Sequence, residues 1–217
     1  MGEINLLESL PKTKRNLVER AALSTAEDKL LAKQFGKEFF DGNRNQGYGG
    51  YHYDGRWKSV AKRFQEYYGL QSNSRILDIG CAKGFLLHDL QEEIPGVQVA
   101  GIDISAYAIE NALESVKPYV QVANAKALPF PDKSFDLVIS INTIHNLAQD
   151  ELKIALREME RVSCRDKFLV LDAYRTPEER DRLLQWNLTA LTHHYVSDWE
   201  LIFQEVGYLG DYFWFTP

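Results

Sequence analysis

Four residues have types and a spacing that suit nucleoside binding: Asp78, Gly80, Gly84 and Asp103. Glycines tolerate positive φ and let a ligand lie against bare backbone, and a helix that begins after them offers unpaired N–H groups. A carboxylate at the strand end repels phosphate, so Asp78 favours a nucleoside with a cationic or hydroxylated tail. Asp103 follows the glycines by roughly 20 residues, where βαβ nucleotide-binding units place the carboxylate that binds the ribose hydroxyls.

The surrounding residues predict the elements that position these groups. The run ILDI before Gly80 indicates a strand buried on both faces, and FLLHDLQEE after Gly84 indicates a helix. Further strands are predicted at residues 97–103, 120–123, 137–141 and 168–172, and further helices at residues 57–70, 105–116, 150–162 and 176–191. This alternation predicts an α/β fold, with a parallel sheet, right-handed crossovers and helices on both faces.

Four segments resemble the successive motifs of class I S-adenosylmethionine-dependent methyltransferases: ILDIGCAKG, GIDIS, NAKALPFPDKSFDLVIS and FLVLDAY. They occur in the order and spacing of that family. The resemblance implies a three-layer Rossmann-like fold, S-adenosyl-L-methionine as cofactor, S-adenosyl-L-homocysteine as product, and SN2-like methyl transfer. The family normally closes its sheet with an antiparallel pair of strands, but only one strand is evident here, in GDYFWFTP. We therefore expect one antiparallel C-terminal edge strand, and residues 193–196 are a candidate for the other.

The resemblance also implies which residues bind the cofactor: Asp78, Gly80, Cys81, Lys83, Gly84, Asp103, Ile104, Asn124, Ala125 and Ser140. Ala82 stands where the family commonly has glycine, and alanine fits there if the turn keeps its φ negative. Asn124 stands where an acid usually faces the adenine amine; its amide carbonyl can still accept that hydrogen bond, and the Ala125 N–H can donate to the ring. The alternatives are a turn that binds nothing and an Asp103 that only caps the helix after Ser105.

His145 and Asn142 follow the fourth strand, at the sheet edge where ligands bind in open α/β folds. Methyl transfer depends mainly on alignment and desolvation, and a base is needed only if the reacting atom of the acceptor carries a proton. Histidine titrates near neutral pH, so His145 is the candidate catalytic base, with Asn142 beside it. The alternative is a structural His145 that caps the next helix or bonds to a carbonyl.

Residues 39–57 are rich in glycine and tyrosine and poor in aliphatic residues, which predicts a long loop. Such loops often act as lids over a site. We predict a lid in which Tyr48, Tyr51 and Tyr53 face the substrate, within an N-terminal helical extension of residues 1–57 that precedes a methyltransferase core of residues 58–217. The alternative is a surface loop whose tyrosines pack on the first helices.

Three residues near the same sheet edge are further candidates for contact with the acceptor: His193, His194 and Asp172. Adjacent histidines in an extended segment point in different directions, so at most one of the two would face the pocket. No carboxylate cluster with suitable spacing accompanies them, so no metal site is predicted.

The composition restricts the partners and the compartment. The 217 residues carry a net charge of −6 and 45% of them are hydrophobic, which indicates a soluble globular protein and argues against nucleic-acid binding. The sequence shows no signal peptide and no apolar run long enough to span a membrane, so no membrane partner is predicted. Two isolated cysteines suit a reducing compartment, and a cytoplasmic protein is expected.

The acceptor is predicted to be a small molecule, because INTI after the fourth strand differs from the motif that marks methylation of base or glutamine amides. The tyrosines of the loop favour a hydroxylated acceptor, methylated on an oxygen or nitrogen of a sugar or other polar metabolite. The alternatives are a protein or peptide methyltransferase and a non-catalytic S-adenosylmethionine-binding subunit. The aromatic C-terminal strand could pair with a second copy, which would give a homodimer.

Overall fold

A computed structural model describes residues 2–11 and 25–216. Its centre is a sheet with the strands β1 Arg75–Ile79, β2 Gln98–Asp103, β3 Val120–Val122, β4 Phe135–Ile141, β5 Ser163–Tyr174, β6 His194–Tyr195 and β7 Asp211–Phe215. The order across the sheet is β3-β2-β1-β4-β5-β6, and β7 also pairs with β5. These strand pairings are all parallel. The predicted α/β fold with a Rossmann-like parallel sheet is confirmed.

The described α-helices are α1 Ala26–Ala32, α2 Lys37–Asp41, α3 Lys58–Tyr68, α4 Phe85–Glu93, α5 Ala106–Glu110, α6 Gln149–Val162, α7 Pro177–Trp186 and α8 Val196–Val206. Two separate hydrophobic cores form, one on each face of the sheet. Phe64 of α3 and Leu87 of α4 belong to the first core, whereas Leu156 of α6 and Trp199 of α8 belong to the second.

Successive strand residues alternate between these two cores. Ile76 packs in the first core and Leu77 in the second, as expected from the period-2 geometry of a strand. The two residues are both 0% exposed. Because each face of the sheet must be apolar, the central strands have continuous apolar runs instead of an alternating pattern.

The helix caps follow the sequence signals. Thr25 Oγ1 accepts a hydrogen bond from Asp28 N at 3.1 Å, and Asp28 Oδ2 accepts one from Thr25 N at 3.0 Å, which is a capping box. Helix α5 is shorter than predicted and ends at Glu110. The Asn111 side chain donates to Tyr107 O at 2.8 Å, a local side-chain contact that competes with helix continuation. The predicted N-terminal helices fall partly on residues 12–24, outside the described residues.

Strand β7 is parallel to β5, so the predicted antiparallel edge strand is wrong. The short strand β6 pairs with Ala173 and Tyr174 at the carboxyl end of β5. The chain then passes once to the other end of the sheet, along α8, before β7 begins. A single return passage makes the next strand run in the same direction as β5. Residues 193–196, suggested as a replacement strand, include β6, which is also parallel.

The N-terminal residues cover part of the outer edge of β7. Ile4 N donates to Tyr212 O at 2.8 Å, and Tyr212 N donates to Gly2 O at 3.0 Å. Leu6 is 1% exposed and lies in the first core. This pairing occupies the outer backbone groups of Tyr212, on the strand where a second copy was expected to pair. The homodimer and the domain boundary at residue 57 stay predictions.

Candidate active site

A cavity of about 1120 Å³ lies beyond the carboxyl ends of β1, β2, β4 and β5. The predicted site residues that line it are Tyr48, Tyr51, Asp78, Gly80, Cys81, Asp103, Ile104, Asn124, Ala125, Asn142, His145 and Asp172. Pockets for one small ligand usually measure about 300–1,000 Å³. The cavity therefore has room for a cofactor and an acceptor side by side.

The turn after β1 requires glycine at its first position. Gly80 has a φ of +82°, and a Cβ atom there would lie 2.1 Å from Thr143 Oγ1. Gly80 N donates to Ile102 O at 2.7 Å, which fixes the turn against β2. Ala82 has a φ of +50°, so the expectation of a negative φ at Ala82 is wrong. The Ala82 N–H donates to Asp103 Oδ2 at 2.9 Å, and this bond helps to hold the left-handed conformation.

The Asp103 carboxylate joins this turn to β2 and also faces the cavity. Its Oδ2 accepts from Ala82 N, and its Oδ1 accepts from Ser105 N at 2.8 Å. Burial raises the pKa of Asp103, and the backbone hydrogen bonds oppose that rise. Backbone N–H groups of Ala82, Ile104 and Ser105 bond to this carboxylate, which can accept about four hydrogen bonds in all, so acceptor capacity remains for a ribose hydroxyl. The proposed capping role and the proposed ribose role are therefore compatible.

Asp78 is the second buried carboxylate of the cavity and is 6% exposed. Burial raises its pKa to about 7, and the charge of Asp103 adds to the rise. No salt bridge joins Asp78 to a lysine or arginine in the part of the chain that the structure describes. A cationic ligand group would stabilise the ionised form of Asp78 and lower this pKa.

Lys83, predicted to contact the cofactor, instead binds the loop. Its buried Nζ lies 2.7 Å from Asp41 Oδ2 and donates to Tyr51 O at 3.0 Å. Asp41 also accepts from Tyr51 N and from Tyr107 Oη, at 3.0 and 2.6 Å. Burial alone would raise the pKa of Asp41, but the hydrogen bonds from Lys83, Tyr107 and Tyr51 outweigh it and lower the pKa to about 2. The Asp41–Lys83 ion pair thus fastens the loop to the glycine turn.

Two tyrosines of the loop, Tyr48 and Tyr51, lie over the half of the cavity that contains the two carboxylates. The Tyr51 ring stacks on Phe85, with centroids 4.6 Å apart, and Tyr48 contacts Tyr51 at 4.4 Å. Tyr48 keeps 41% of its surface accessible and lines the cavity.

Several predicted site residues do not line the cavity. The Ser140 hydroxyl is fully buried in the sheet and donates to Ile79 O at 3.2 Å. Gly84 is the N-cap of α4 with a φ of +76°, so its role is to begin that helix. Tyr53 Oη donates to Asp89 Oδ1 at 2.5 Å, which directs this tyrosine to α4 and away from the substrate.

The two adjacent histidines also lie outside the cavity lining. His194 is in β6, and its Nε2 bonds to Gln149 Oε1 at 3.0 Å. His193 Nδ1 is buried without a hydrogen-bond partner among the described residues. Burial lowers the pKa of both imidazoles. His194 pairs with Ala173 at the carboxyl end of β5.

His145 has a defined orientation in the wall of the cavity and is 4% exposed. Its Nδ1 accepts a hydrogen bond from Asp172 N at 3.1 Å, whereas Asp172 Oδ1 lies 3.7 Å from the same nitrogen. The hydrogen bond from Asp172 N determines the tautomer, because Nδ1 can accept it only through a lone pair and so cannot itself carry a proton. The neutral ring therefore carries its proton on Nε2 and acts as a hydrogen-bond donor there.

Asn124 and Asn142 occupy turns at the carboxyl ends of β3 and β4. Asn124 Oδ1 accepts from Lys126 N at 3.0 Å, so part of its acceptor capacity already stabilises the turn. Asn142 has a φ of +53°, a conformation that asparagine tolerates better than most residues. Its backbone N–H donates to Val170 O at 3.0 Å, which holds Asn142 beside β5.

The sequence analysis missed one wall of the cavity, which we call the apolar wall. It consists of partly buried side chains that pack against the first core and line the cavity: Leu7, Leu10, Trp57, Ile141, Phe213 and Phe215. Phe213 and Phe215 were assigned only to an edge strand. Their period-2 spacing, which places both on one face of β7, was the available signal.

Residues 2–11 and 25–216 contain no group of three or more His, Cys, Asp and Glu side chains that could hold a metal ion. In the same part of the chain, no helix is long and apolar enough to cross a membrane.

The Asp41–Lys83 ion pair predicts how the loop responds to mutation. Asp41→Asn leaves the Lys83 ammonium buried without its counter-charge, which is a strongly destabilising change for a buried pair. We expect trypsin cleavage after Arg44 to become at least about tenfold faster under native conditions. The matched control is Asp54→Asn, which removes an exposed ion pair of the same loop and should leave that rate unchanged. Equal cleavage rates in Asp41→Asn and the wild type would contradict the fastening role.

The geometry of His145 predicts an observable tautomer. In ¹⁵N-histidine-labelled protein, the neutral form of the His145 ring should show the pattern of an imidazole protonated at Nε2, because Nδ1 accepts the Asp172 N–H. The spectrum of His145→Gln identifies the His145 signals by their loss. A ring protonated at Nδ1 would contradict this orientation and restore His145 as a base facing the cavity.

The comparisons with known proteins agree with this geometry. A family profile described as "Methyltransferase domain" matches residues 77–171. The chain is 39% identical over 70 residues to "Arginine-hydroxylase NDUFAF5, mitochondrial" of Rattus norvegicus, which covers 32% of this chain and 20% of that protein. It is 34% identical over 119 residues to "Uncharacterized methyltransferase YcgJ" of Bacillus subtilis, which covers 50% of this chain and 44% of the relative.

The crystal structure of the Bacillus subtilis YcgJ protein has the same fold, with a TM-score of 0.52 and 22% identity, and it covers 67% of this chain and 66% of that one. The chain spans less than half the length of the rat and Bacillus relatives. The matched residues contain the strands β2, β3 and β4, part of β1, the glycine turn, Asp78 and Asp103. Residues 77–171 therefore match a methyltransferase domain, and the chain has the Rossmann-like fold of class I S-adenosylmethionine-dependent methyltransferases.

Proposed function

We propose that this protein transfers a methyl group from S-adenosylmethionine to a small molecule bound in the same cavity. The observation that supports this most directly is the continuity of the cavity, which contains both the two carboxylates and the apolar wall. Members of this family use S-adenosylmethionine as methyl donor. Asp103 would hold the ribose hydroxyls, Asp78 and the turn at Gly80 the methionine part, and Asn124 with Ala125 the adenine.

The residues present fit this cofactor on three counts. Gly80 leaves bare backbone where a Cβ would collide with Thr143. The Asp103 carboxylate keeps acceptor capacity for a ribose hydroxyl. Asp78 is a buried carboxylate with a raised pKa, which a ligand ammonium group would lower. The negative charge of Asp78 is thus complementary to the ammonium group of the cofactor.

When bound, the cofactor supplies an electrophilic methyl carbon: the acceptor's lone pair forms the new bond, and the carbon–sulfur bond breaks with its electron pair remaining on sulfur. The protein's own residues contribute alignment and exclusion of water. Tyr48 and Tyr51 lie over the carboxylate half of the cavity, fastened there by the Asp41–Lys83 ion pair. His145 donates from Nε2 and Asn142 offers its amide, so both orient the acceptor. A proton released by the acceptor passes to water, because Nε2 already carries one.

A small acceptor is favoured over a protein or peptide. A long peptide would need an open groove, whereas the loop tyrosines and the N-terminal Leu7 and Leu10 both line this cavity. A non-catalytic S-adenosylmethionine-binding subunit would lack residues that orient an acceptor. His145 and Asn142 line the cavity and could bind an acceptor, which favours an enzyme.

The first test is isothermal titration with S-adenosylmethionine and S-adenosylhomocysteine, for which we expect micromolar affinity. Asp103→Asn removes the charge that strengthens hydrogen bonds to the ribose, so the affinity for S-adenosylhomocysteine should fall roughly 10- to 100-fold, or about 1.5–3 kcal/mol. The control is Asp136→Asn at the opposite end of the sheet, which should bind like the wild type. Unchanged affinity in Asp103→Asn would exclude the ribose role.

The raised pKa of Asp78 predicts that cofactor affinity depends on pH. A ligand ammonium prefers the ionised carboxylate, and a pKa of about 7 means that ionisation increases through neutral pH. Affinity for S-adenosylhomocysteine should therefore rise by up to about tenfold between pH 6 and pH 8, with protons released on binding at the lower pH. Asp78→Asn should bind more weakly and show a flat profile. A wild-type affinity that is constant or falls over this range would contradict the assignment.

A further inference from the structure

The apolar wall has a chemistry that the sequence did not indicate for the acceptor. Ile141 is the last residue of β4, and Phe213 and Phe215 belong to β7. Leu7 and Leu10 come from the N-terminal segment that pairs with β7. The two carboxylates lie on β1 and β2, on the other side of β4 in the strand order. The cavity therefore has an acidic half, which suits the cofactor, and an aromatic and aliphatic half, which is left for the acceptor.

Two charged side chains beside the apolar wall are paired within the protein. The Arg56 guanidinium binds Asp54 at 2.6 Å, and the Glu8 carboxylate binds Arg63 at 3.0 Å. Both Arg56 and Glu8 line the cavity, whereas their partners do not. A charged acceptor would have to compete with these ion pairs, so an uncharged one is favoured.

Polar side chains of the cavity lie where β4 and β5 end, among them Asp172 beside His145. Asn142 and His145 line the cavity there, and His145 directs a hydrogen-bond donor from Nε2. A molecule that buries its apolar body against the apolar wall can place one polar group at these two residues. Placing the polar group there orients the acceptor with its reacting atom beside the cofactor half.

We propose that the methyl acceptor is an uncharged, ring-bearing molecule with an apolar body and a polar group at one end, the polar group bound by His145 and Asn142. This inference rests on the proposed function, because it names the acceptor of the same site. The predicted sugar acceptor depended on the tyrosines of the loop. Those tyrosines lie instead over the carboxylates, with Tyr51 stacked on Phe85, so they are placed to cover the cofactor.

Two probes of similar size separate the two acceptor classes: 1-naphthol, which is apolar with one hydroxyl, and methyl α-D-glucopyranoside, which is polar throughout. Each is titrated calorimetrically into the full chain saturated with S-adenosylhomocysteine. We expect saturable 1:1 binding of 1-naphthol and no measurable binding of the glucoside at a tenfold higher concentration. Phe213→Ala should weaken naphthol binding at least about tenfold, because burial of ring surface supplies most of the affinity.

Controls separate this effect from misfolding and from non-specific binding. Tyr119→Ala removes an exposed aromatic ring at the far edge of the sheet and should bind 1-naphthol like the wild type. Phe215→Leu is the milder second variant, with an intermediate loss of affinity. Both phenylalanine variants should retain wild-type affinity for S-adenosylhomocysteine, which shows that the domain is folded.

Four results would overturn the proposal: saturable glucoside binding, no naphthol binding, naphthol binding that both phenylalanine variants leave unchanged, or an equal loss in Tyr119→Ala. Failure of the proposed function is a different result, since the protein would then not bind S-adenosylhomocysteine at all. In that case, 1-naphthol and the glucoside are titrated into the unliganded chain, and the same comparison of variants decides whether the apolar wall binds ring compounds.

Discussion

Burial of the parallel sheet on both faces is the constraint on which the rest of this structure depends. Because Ile76 and Leu77 face two different cores, neither face of the sheet is open to a ligand. Only the ends of the strands remain available, and parallel pairing brings all carboxyl ends to one edge. The cavity lies at that edge, and its residues occupy the positions directly after the strands.

The electrostatics of the cavity follow from the same burial. Asp78 and Asp103 are withdrawn from water by the elements around them, and burial raises the pKa of both. Lys83, which follows Gly80 in the same turn, is paired with Asp41 of the loop. The two carboxylates are therefore left for a ligand that brings hydroxyl donors and a positive charge, and the cation of the glycine turn is used to fasten the loop.

The segment that matches the methyltransferase family does not include most of the apolar wall. The matched segment is residues 77–171, which supplies the cofactor half and the residues after β4. Apart from Ile141, the apolar wall comes from the N-terminal residues, from Trp57 and from β7, all outside that segment. The acceptors of relatives that share the matched segment therefore do not define the acceptor of this chain, whereas the apolar wall bears on it directly.

The sequence by itself determined the parallel α/β fold, the glycine turn and the two carboxylates, because these depend on local residue types and on spacing along one chain. It did not determine the direction of β7, which depends on how many times the chain crosses the sheet. Nor did it show that Lys83 binds Asp41, that Ser140 is buried, or that Phe213 and Phe215 face the cavity with Leu7 and Leu10. These are contacts between segments far apart in the chain, and only tertiary packing decides which of several chemically plausible partners each side chain meets.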